Sequence, residues 1–388
     1  MNEEIEVEIY RKGQWQTCGF LKLSGGRHAP SQFYYDHEYT CNNLSSKSQN
    51  AQVSVNCPIE FTEYKYDFMA PFASDLMPYG IQRAHLQKKF AINSESDFLR
   101  YGVNHPIGNL RTAVHPDWNF EVLGFEKEDV SLENARLREI AALKGGTDLQ
   151  GDAPKIMAVR NGAGEWFVDN GNVEGDHYII KFPRGNHKSD LIILDSEYKY
   201  IHLADKLGLN IVGKGEYFYL EKGALGIPRF DFIKGARHGV ESLYSVMGLA
   251  GGDGIKVSQY AACKRLFNIC GVKSVIEYVK RDIVNFVYGN TDNHGRNTSV
   301  LKTAGELTLS PLYDFAPMIL DKDLIIRTFV WDSEENSVHI DWNTVINKLQ
   351  DLLQEDLPGL MDFANMVYET KVEMLKEFEI DELVREKL

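Results

Sequence analysis

The chain has 388 residues, 43% of them hydrophobic and 25% charged, with 42 Lys and Arg against 56 Asp and Glu for a net charge of −14. That length supports two or three domains, no window approaches the roughly 20 apolar residues of a membrane span, and the acidic balance opposes nonspecific attachment to a phosphate backbone over the whole surface. The opening MNEEIEVEIYRKG has acidic residues where an export signal carries a basic region, so a cytoplasmic location is expected. Cys18, Cys41, Cys57, Cys263 and Cys270 form no C-x-x-C pair and read as reduced thiols, not as a disulfide frame or zinc site.

The first predicted elements are strands. Ile5, Val7 and Ile9 share one side of IEVEIYR, and after the turn KGQW the alternation resumes in CGFLKL, giving a hairpin. From there to about residue 120, aromatic-rich pieces (QFYYDHEY, EYKYDFMAPF) are joined by polar connectors such as NNLSSKSQN, as in a small α+β unit. A helix is predicted over Ser131 to Leu143, stopped by Lys144-Gly145-Gly146. KIMAVRN and EWFVDN read as strands joined by GAG, and HYIIKFP as a third with Lys181 at its far end. Ser189 to Leu207 reads as a helix closed by Gly208, and YFYLEKGALGIPRFDFI as two more strands. After Ser242 the spacing turns helical, and from Asp341 onward the chain is amphipathic helix interrupted at Leu357-Pro358-Gly359. The segments expected are therefore 1–120, a small N-terminal part, 121–240, rich in strands, and 241–388, helical.

Chemistry concentrates at YGNTDNHGRNTSVL, Tyr288 to Leu301. The helix SVIEYVKRDIVNFVYG before it carries Val275, Val279, Ile283 and Phe286, with Ile276 and Val287 nearby, on one face that must be buried, so the polar loop is delivered to a fixed place. Asp292 and Asn297 have the spacing D-x-x-x-x-N; two strand runs, NTSVL and ELTLS, follow with KTAG as their turn, and Tyr313-Asp314-Phe315 stands at the exit. Protein kinases use this order to bring a base and metal ligands to one γ-phosphate. Taken singly, each residue is as well explained by an Asx-turn after a helix; the ordered set is not. Lys181 ends an apolar strand like the lysine of V-A-I-K, Glu197 on the next helix is its candidate partner, and GGTDLQGDAPK (Gly145 to Lys155) offers backbone N–H groups to phosphates.

These motifs resemble those of the HipA-type serine/threonine kinases, the toxin halves of bacterial toxin–antitoxin pairs. GNTDNHGRN and LSPLYDFAP match N-x-D-x-H-x-x-N and L-x-P-x-Y-D, GDAPKIMA the glycine-rich loop, HYIIKFP the ATP-lysine strand, SEYKYIHLADKLGLNIV the next helix and strand, and PRFDF the R-F-D hinge. FASDLMPYGIQR and HPIGNLR are similar to the small amino-terminal subdomain, so the resemblance covers nearly the whole chain. It implies an α+β, protein-kinase-like two-lobed fold with a β-rich N-lobe and an all-helical C-lobe, and ATP and Mg²⁺ as cofactors. On that pattern Asp292 is the base, and Asn297 and Asp314 hold the metal. Gly151, Asp152, Ala153, Lys155, Lys181, Phe230, Asp231, His294 and Tyr313 surround ATP, with Glu197 in support. Implied partners are a HipB-like helix-turn-helix antitoxin, operator DNA indirectly through it, and a protein substrate; aminoacyl-tRNA synthetases are among the family's substrates.

Two positions depart from the family. Aligning Gly151 with the family's glycine puts Asp148 where relatives often carry an autophosphorylated serine, so that control is expected to be lost unless Thr147 replaces it. In the hinge Pro228 precedes Arg229-Phe230-Asp231 where relatives commonly have Glu, and Pro228 has no N–H to offer adenine. These departures keep open a pseudokinase or antitoxin-binding scaffold that binds nucleotide without efficient transfer. A metal-dependent hydrolase on the same carboxylates is a third reading, one that would need neither Lys181 nor the glycine loop.

Overall fold

A computed structural model describes residues 3–46, 48–102, 106–113, 124–126, 153–169, 173–213, 215–220, 223–249, 256–336, 339–353 and 356–388. The helix expected over Ser131 to Leu143, and with it Thr147, Asp148, Gly151 and Asp152, lies outside the described residues. The chain divides into two compact units of interleaved segments: Met1–Gly185 with Glu216–Gly251 and Leu301–Glu306, and Asn186–Gly215 with Gly252–Val300 and Leu307–Leu388.

The first unit holds two larger antiparallel sheets among the described residues. One has the strand order Glu63–Tyr66, Ser31–Tyr35, Gln14–Leu23, Glu3–Arg11, Leu110–Thr112. Its first hairpin is the expected one, turning through Lys12 (φ 51°) and Gly13 (φ 84°), a two-residue left-handed turn whose twist matches the flanking strands. Ile5, Val7 and Ile9 face inward with Cys18, Leu21 and Phe33, and the helices Pro71–Leu76 and Glu95–Gly102 add Phe72, Ala73, Leu76, Phe98 and Leu99 to the same core.

The other sheet runs Phe218–Leu220, Ala224–Pro228, Asp176–Lys181, Lys155–Arg160, Trp166–Val168, Gly124–Phe125. The strand alternation gives it two different faces. Ile156, Ala158, Tyr178 and Ile180 pack with Trp166, Val168 and Phe182 on one. The register places Lys155, Met157 and Val159 opposite Lys181, Ile179 and His177 on the other, with Leu225 and Ile227 beside them.

The second unit is mostly helical. Helix Lys188–Lys206 begins one residue before the predicted start, because His187 caps it: the ring Nδ1 accepts from the Ser189 N–H at 3.3 Å and Asp190 accepts from the His187 N–H at 3.1 Å. Gly208, at φ 79°, closes it. Helices Gln259–Cys270, Val272–Val287, Trp342–Lys348 and Gln350–Leu353 follow. Leu357-Pro358-Gly359 opens the helix Leu357–Glu377; a proline in the first turn removes an N–H that has no intrahelical partner anyway, so the break precedes these residues. Val257–Ser258 pairs in parallel with Phe329–Val330, so the C-terminal part is not wholly helical as expected.

Candidate functional site

Helix Val272–Val287 buries Val275, Val279, Ile283 and Val287 as its spacing predicts, together with Tyr278 and Val284, while Ile276 and Phe286 are only half-buried. It stops at Tyr288, and Gly289 (φ 70°) turns the chain out of it. A Cβ at Gly289 would stand 2.6 Å from Leu388 Cδ2 and 2.9 Å from Ile319 Cγ2, so both the dihedral and the space require glycine. The Gly289 carbonyl accepts from the Ile319 N–H at 2.9 Å. Below the turn, the Tyr200 hydroxyl donates to the Tyr288 carbonyl at 3.0 Å and the Tyr200 ring packs on Phe315, 4.9 Å between centroids. Burial pushes the Tyr288 phenol up to about 12, so it adds no charge beneath the loop.

The loop is held by its own short polar side chains. Asn290 donates to Asn285 Oδ1 at 3.0 Å and to the Asp314 carbonyl at 3.2 Å, and its Oδ1 accepts from the Asp292 N–H at 3.3 Å. Asn297 Nδ2 donates to the Asp292 carbonyl at 2.8 Å, which commits the amide nitrogen and leaves Oδ1 as its acceptor atom. His294 Nδ1 accepts from the Arg296 N–H at 3.2 Å, so the proton of a neutral ring belongs on Nε2, 3.3 Å from Asp292 Oδ1. Tyr313 donates to the Arg296 carbonyl at 2.7 Å and contacts Ser299 Oγ at 2.6 Å. Asp314 stands at φ 52°, a left-handed backbone that aspartate tolerates better than most residues, with buried Phe315 next to it. Asp292, His294, Asn297, Tyr313 and Asp314 are thus brought together in one unit.

A buried group that sequence reasoning missed supports this loop. Asp282, on the inner side of the helix, accepts from Asn293 Nδ2, from Arg327 Nη2 at 2.9 Å and from Trp331 Nε1 at 2.7 Å. Arg327 also reaches Glu335 at 2.7 Å; burial alone would lower its pKa, but these two carboxylates hold it above the ordinary range. The Asn293 carbonyl accepts from the Thr328 N–H at 3.1 Å and hydroxyl at 3.0 Å. Asn293, the residue after Asp292, is therefore gripped from both ends. The available signal was a carboxylate at a core position of an apolar helix face.

In the other unit Lys155 and Lys181 stand directly opposite each other on adjacent strands, 4% and 7% exposed. Met157, Ile179, Leu225 and Ile227 share this face of the sheet with them and make it largely apolar. Ala153 precedes Lys155 directly across Pro154, whose carbonyl accepts from Phe182 N–H at 2.9 Å. Phe230 is half-buried. Asp231 is differently placed from what a ligand contact suggests: Arg229 grips both its oxygens, at 3.0 and 2.6 Å, and also reaches the Pro106 carbonyl at 2.8 Å, and Gly108 N–H donates to Asp231 at 2.8 Å. Asp169 joins Arg229 at 3.4 Å and His177 at 3.0 Å. Burial alone would raise the Asp231 pKa, but Arg229, with Arg237, holds it below the ordinary aspartate range. Glu197 is buried on the helix Lys188–Lys206 of the second unit, whereas Lys181 belongs to the first.

The model of the HipA-like C-terminal domain matches residues 147–374, more than half the chain. The chain belongs to the HipA-like family. Its fold is similar to that of HipA in the Shewanella oneidensis MR-1 toxin–antitoxin complex of HipA, HipB and operator DNA. There the TM-score is 0.65 at 18% identity, over 99% of this chain and 93% of that one. The Helicobacter pylori proinflammatory kinase CtkA gives a TM-score of 0.33 at 16% identity over 54% of this chain and 62% of that one, too low to establish a common fold. Among the described residues of this HipA-like chain no helix is long and apolar enough to cross a membrane, and no group of three or more His, Cys, Asp or Glu side chains makes a metal cage. Asn297 and Asp314 fit the sparser demand of Mg²⁺, which takes one or two protein oxygens and fills its sphere with phosphate and water.

Proposed function

We propose that this chain is a two-lobed protein kinase of the HipA type that transfers the γ-phosphate of Mg·ATP to a serine or threonine hydroxyl of a protein. The observation that carries this reading is the single loop on which Asp292, His294 and Asn297 fix one another, linked through Asn290 to Asp314. Phosphoryl transfer asks chiefly for positioning and neutralised charge, which such a loop supplies. Asp292 orients and accepts the proton of the incoming hydroxyl, and the His294 Nε2–H steadies its carboxylate. Asn297 Oδ1 and the Asp314 carboxylate would hold Mg²⁺, which when bound neutralises charge on the phosphate oxygens. Lys155 and Lys181 address the phosphates, and the apolar face of Met157, Ile179, Leu225 and Ile227 suits a flat base.

A HipB-like helix-turn-helix partner is supported by the Shewanella complex, in which HipA occurs with HipB and operator DNA. A net charge of −14 favours a basic partner that itself carries the DNA. The test is incubation of the chain with Mg²⁺, γ-labelled ATP and a host lysate. Label on a protein serine or threonine is expected. Release of all label as inorganic phosphate would favour a hydrolase, and no ATP turnover a scaffold.

A further inference from the structure

Leu324 and Ile326 are 79% and 73% exposed, the two most exposed large hydrophobic residues among those described. Leu324 also sits at φ 49°, a left-handed backbone that costs a leucine free energy. Such a residue, apolar, exposed and strained, is expected to be mobile or at the end of a loose loop. Instead both flanks are anchored. On one side Asp321, 4% exposed, donates its N–H to the Met318 carbonyl at 2.9 Å and accepts at its carbonyl from the Leu324 N–H at 3.2 Å, while its carboxylate accepts from the Asp323 N–H at 2.8 Å. On the other side Arg327 is locked between Asp282 and Glu335, and Thr328 donates twice to the Asn293 carbonyl.

The second anchor ties the loop to the neighbourhood of Asp292. Asn293 is bonded covalently to Asp292, so the segment that raises Leu324 and Ile326 into solvent is tied to the residue beside the proposed base. Ile326 is two steps along the chain from Thr328 and Leu324 four, so at about 3.5 Å per step their Cα atoms lie within about 7 and 14 Å of that tie. A polypeptide whose hydroxyl is held at Asp292 spans that reach with two to five residues.

We infer that Leu324 and Ile326 form the docking surface for the protein substrate, taking an apolar side chain that lies two to five residues from the phosphorylated hydroxyl. The inference rests on the kinase reading and adds to it a sequence preference. The partner is an extended segment, which carries an acceptor hydroxyl and an apolar side chain two to five residues apart to two places on one surface. Covering the two aliphatic groups removes apolar surface from water, and the anchored flanks mean that little ordering opposes it.

The test uses a degenerate serine and threonine peptide library, fixed at one position at a time, with Mg²⁺ and labelled ATP. The wild type selects an apolar residue at one position two to five residues from the acceptor. The double variant Leu324→Asp, Ile326→Asp loses that selection and labels the preferred peptides about tenfold or more slowly. Aspartate accepts a left-handed backbone, and both sites are exposed, so the variant folds; its melting temperature still rises with Mg·ATP as the wild type's does. Unchanged selectivity in the double variant, or a wild type with no apolar preference, overturns the inference while leaving the kinase reading intact. A wild type that labels neither peptides nor proteins overturns the kinase reading, and the docking surface with it.

Discussion

Asp231 and Asp292 are both aspartates in short polar motifs, and the molecule treats them differently. Asp231 is 1% exposed, with both oxygens taken by Arg229 and a third hydrogen bond from Gly108. Asp292 is 26% exposed, its backbone is fixed from both sides by Asn290 and Asn297, and its Oδ1 lies 3.3 Å from His294 Nε2. Saturation inside the protein marks a group that joins segments, here the stretch around Pro106 and Gly108 to the sheet. A rigid backbone carrying a half-exposed carboxylate marks a group prepared for something that arrives. The resemblance in sequence assigned Asp292 as the base and Asp231 to the nucleotide; their surroundings differ as sharply.

Replacing Asp292 with Asn separates the two roles most sharply. Phosphotransfer should fall on the order of 10²–10⁴-fold, while the rise in melting temperature with Mg·ATP persists. A variant as active as the wild type would remove Asp292 from the reaction. Arg229→Ala should do the opposite, destabilising the first unit by about 3–5 kcal/mol through an uncompensated buried carboxylate, as read by urea denaturation. The same pair has a pH signature. Because the folded Asp231 pKa is depressed, its stabilisation is complete above the ordinary aspartate range and is lost as pH falls through the folded value. Asp231→Asn should therefore flatten the acid limb of the stability profile; an unaltered limb would mean that other carboxylates set it.

Asn293→Ala tests the intermediate case, a loop residue with a structural side chain. Losing its bond to the buried, charged Asp282 should cost about 1.5–3 kcal/mol of stability, measured by thermal or chemical unfolding. A change near zero would show that Arg327 and Trp331 alone satisfy Asp282.

Much of this was legible in the sequence where the signal is local. Period-two alternation gave the first hairpin, short apolar runs gave the strands around Lys155 and Lys181, and the three-to-four spacing of Val275, Val279 and Ile283 gave the helix that delivers the loop. The five-residue step from Asp292 to Asn297 is also local, and the hydrogen bond between them follows it. What escaped depends on distant partners. Asn293 and Asp282 are 11 residues apart, Arg327 and Asp282 are 45, and Arg229 and Pro106 are 123. No periodicity announces such pairs, and a buried arginine is indistinguishable in sequence from one in solvent. The exposed Leu324 was equally silent, since its exposure and its backbone are properties of the folded loop alone.

Calorimetric titration of Mg·ATP into the wild type, Lys181→Ala and Asp314→Ala tests most directly the proposal that this chain binds Mg·ATP through these side chains. Each variant should bind at least about tenfold more weakly than the wild type, and the wild type should lose most of its affinity when Mg²⁺ is withheld. Undiminished binding by either variant would contradict the account.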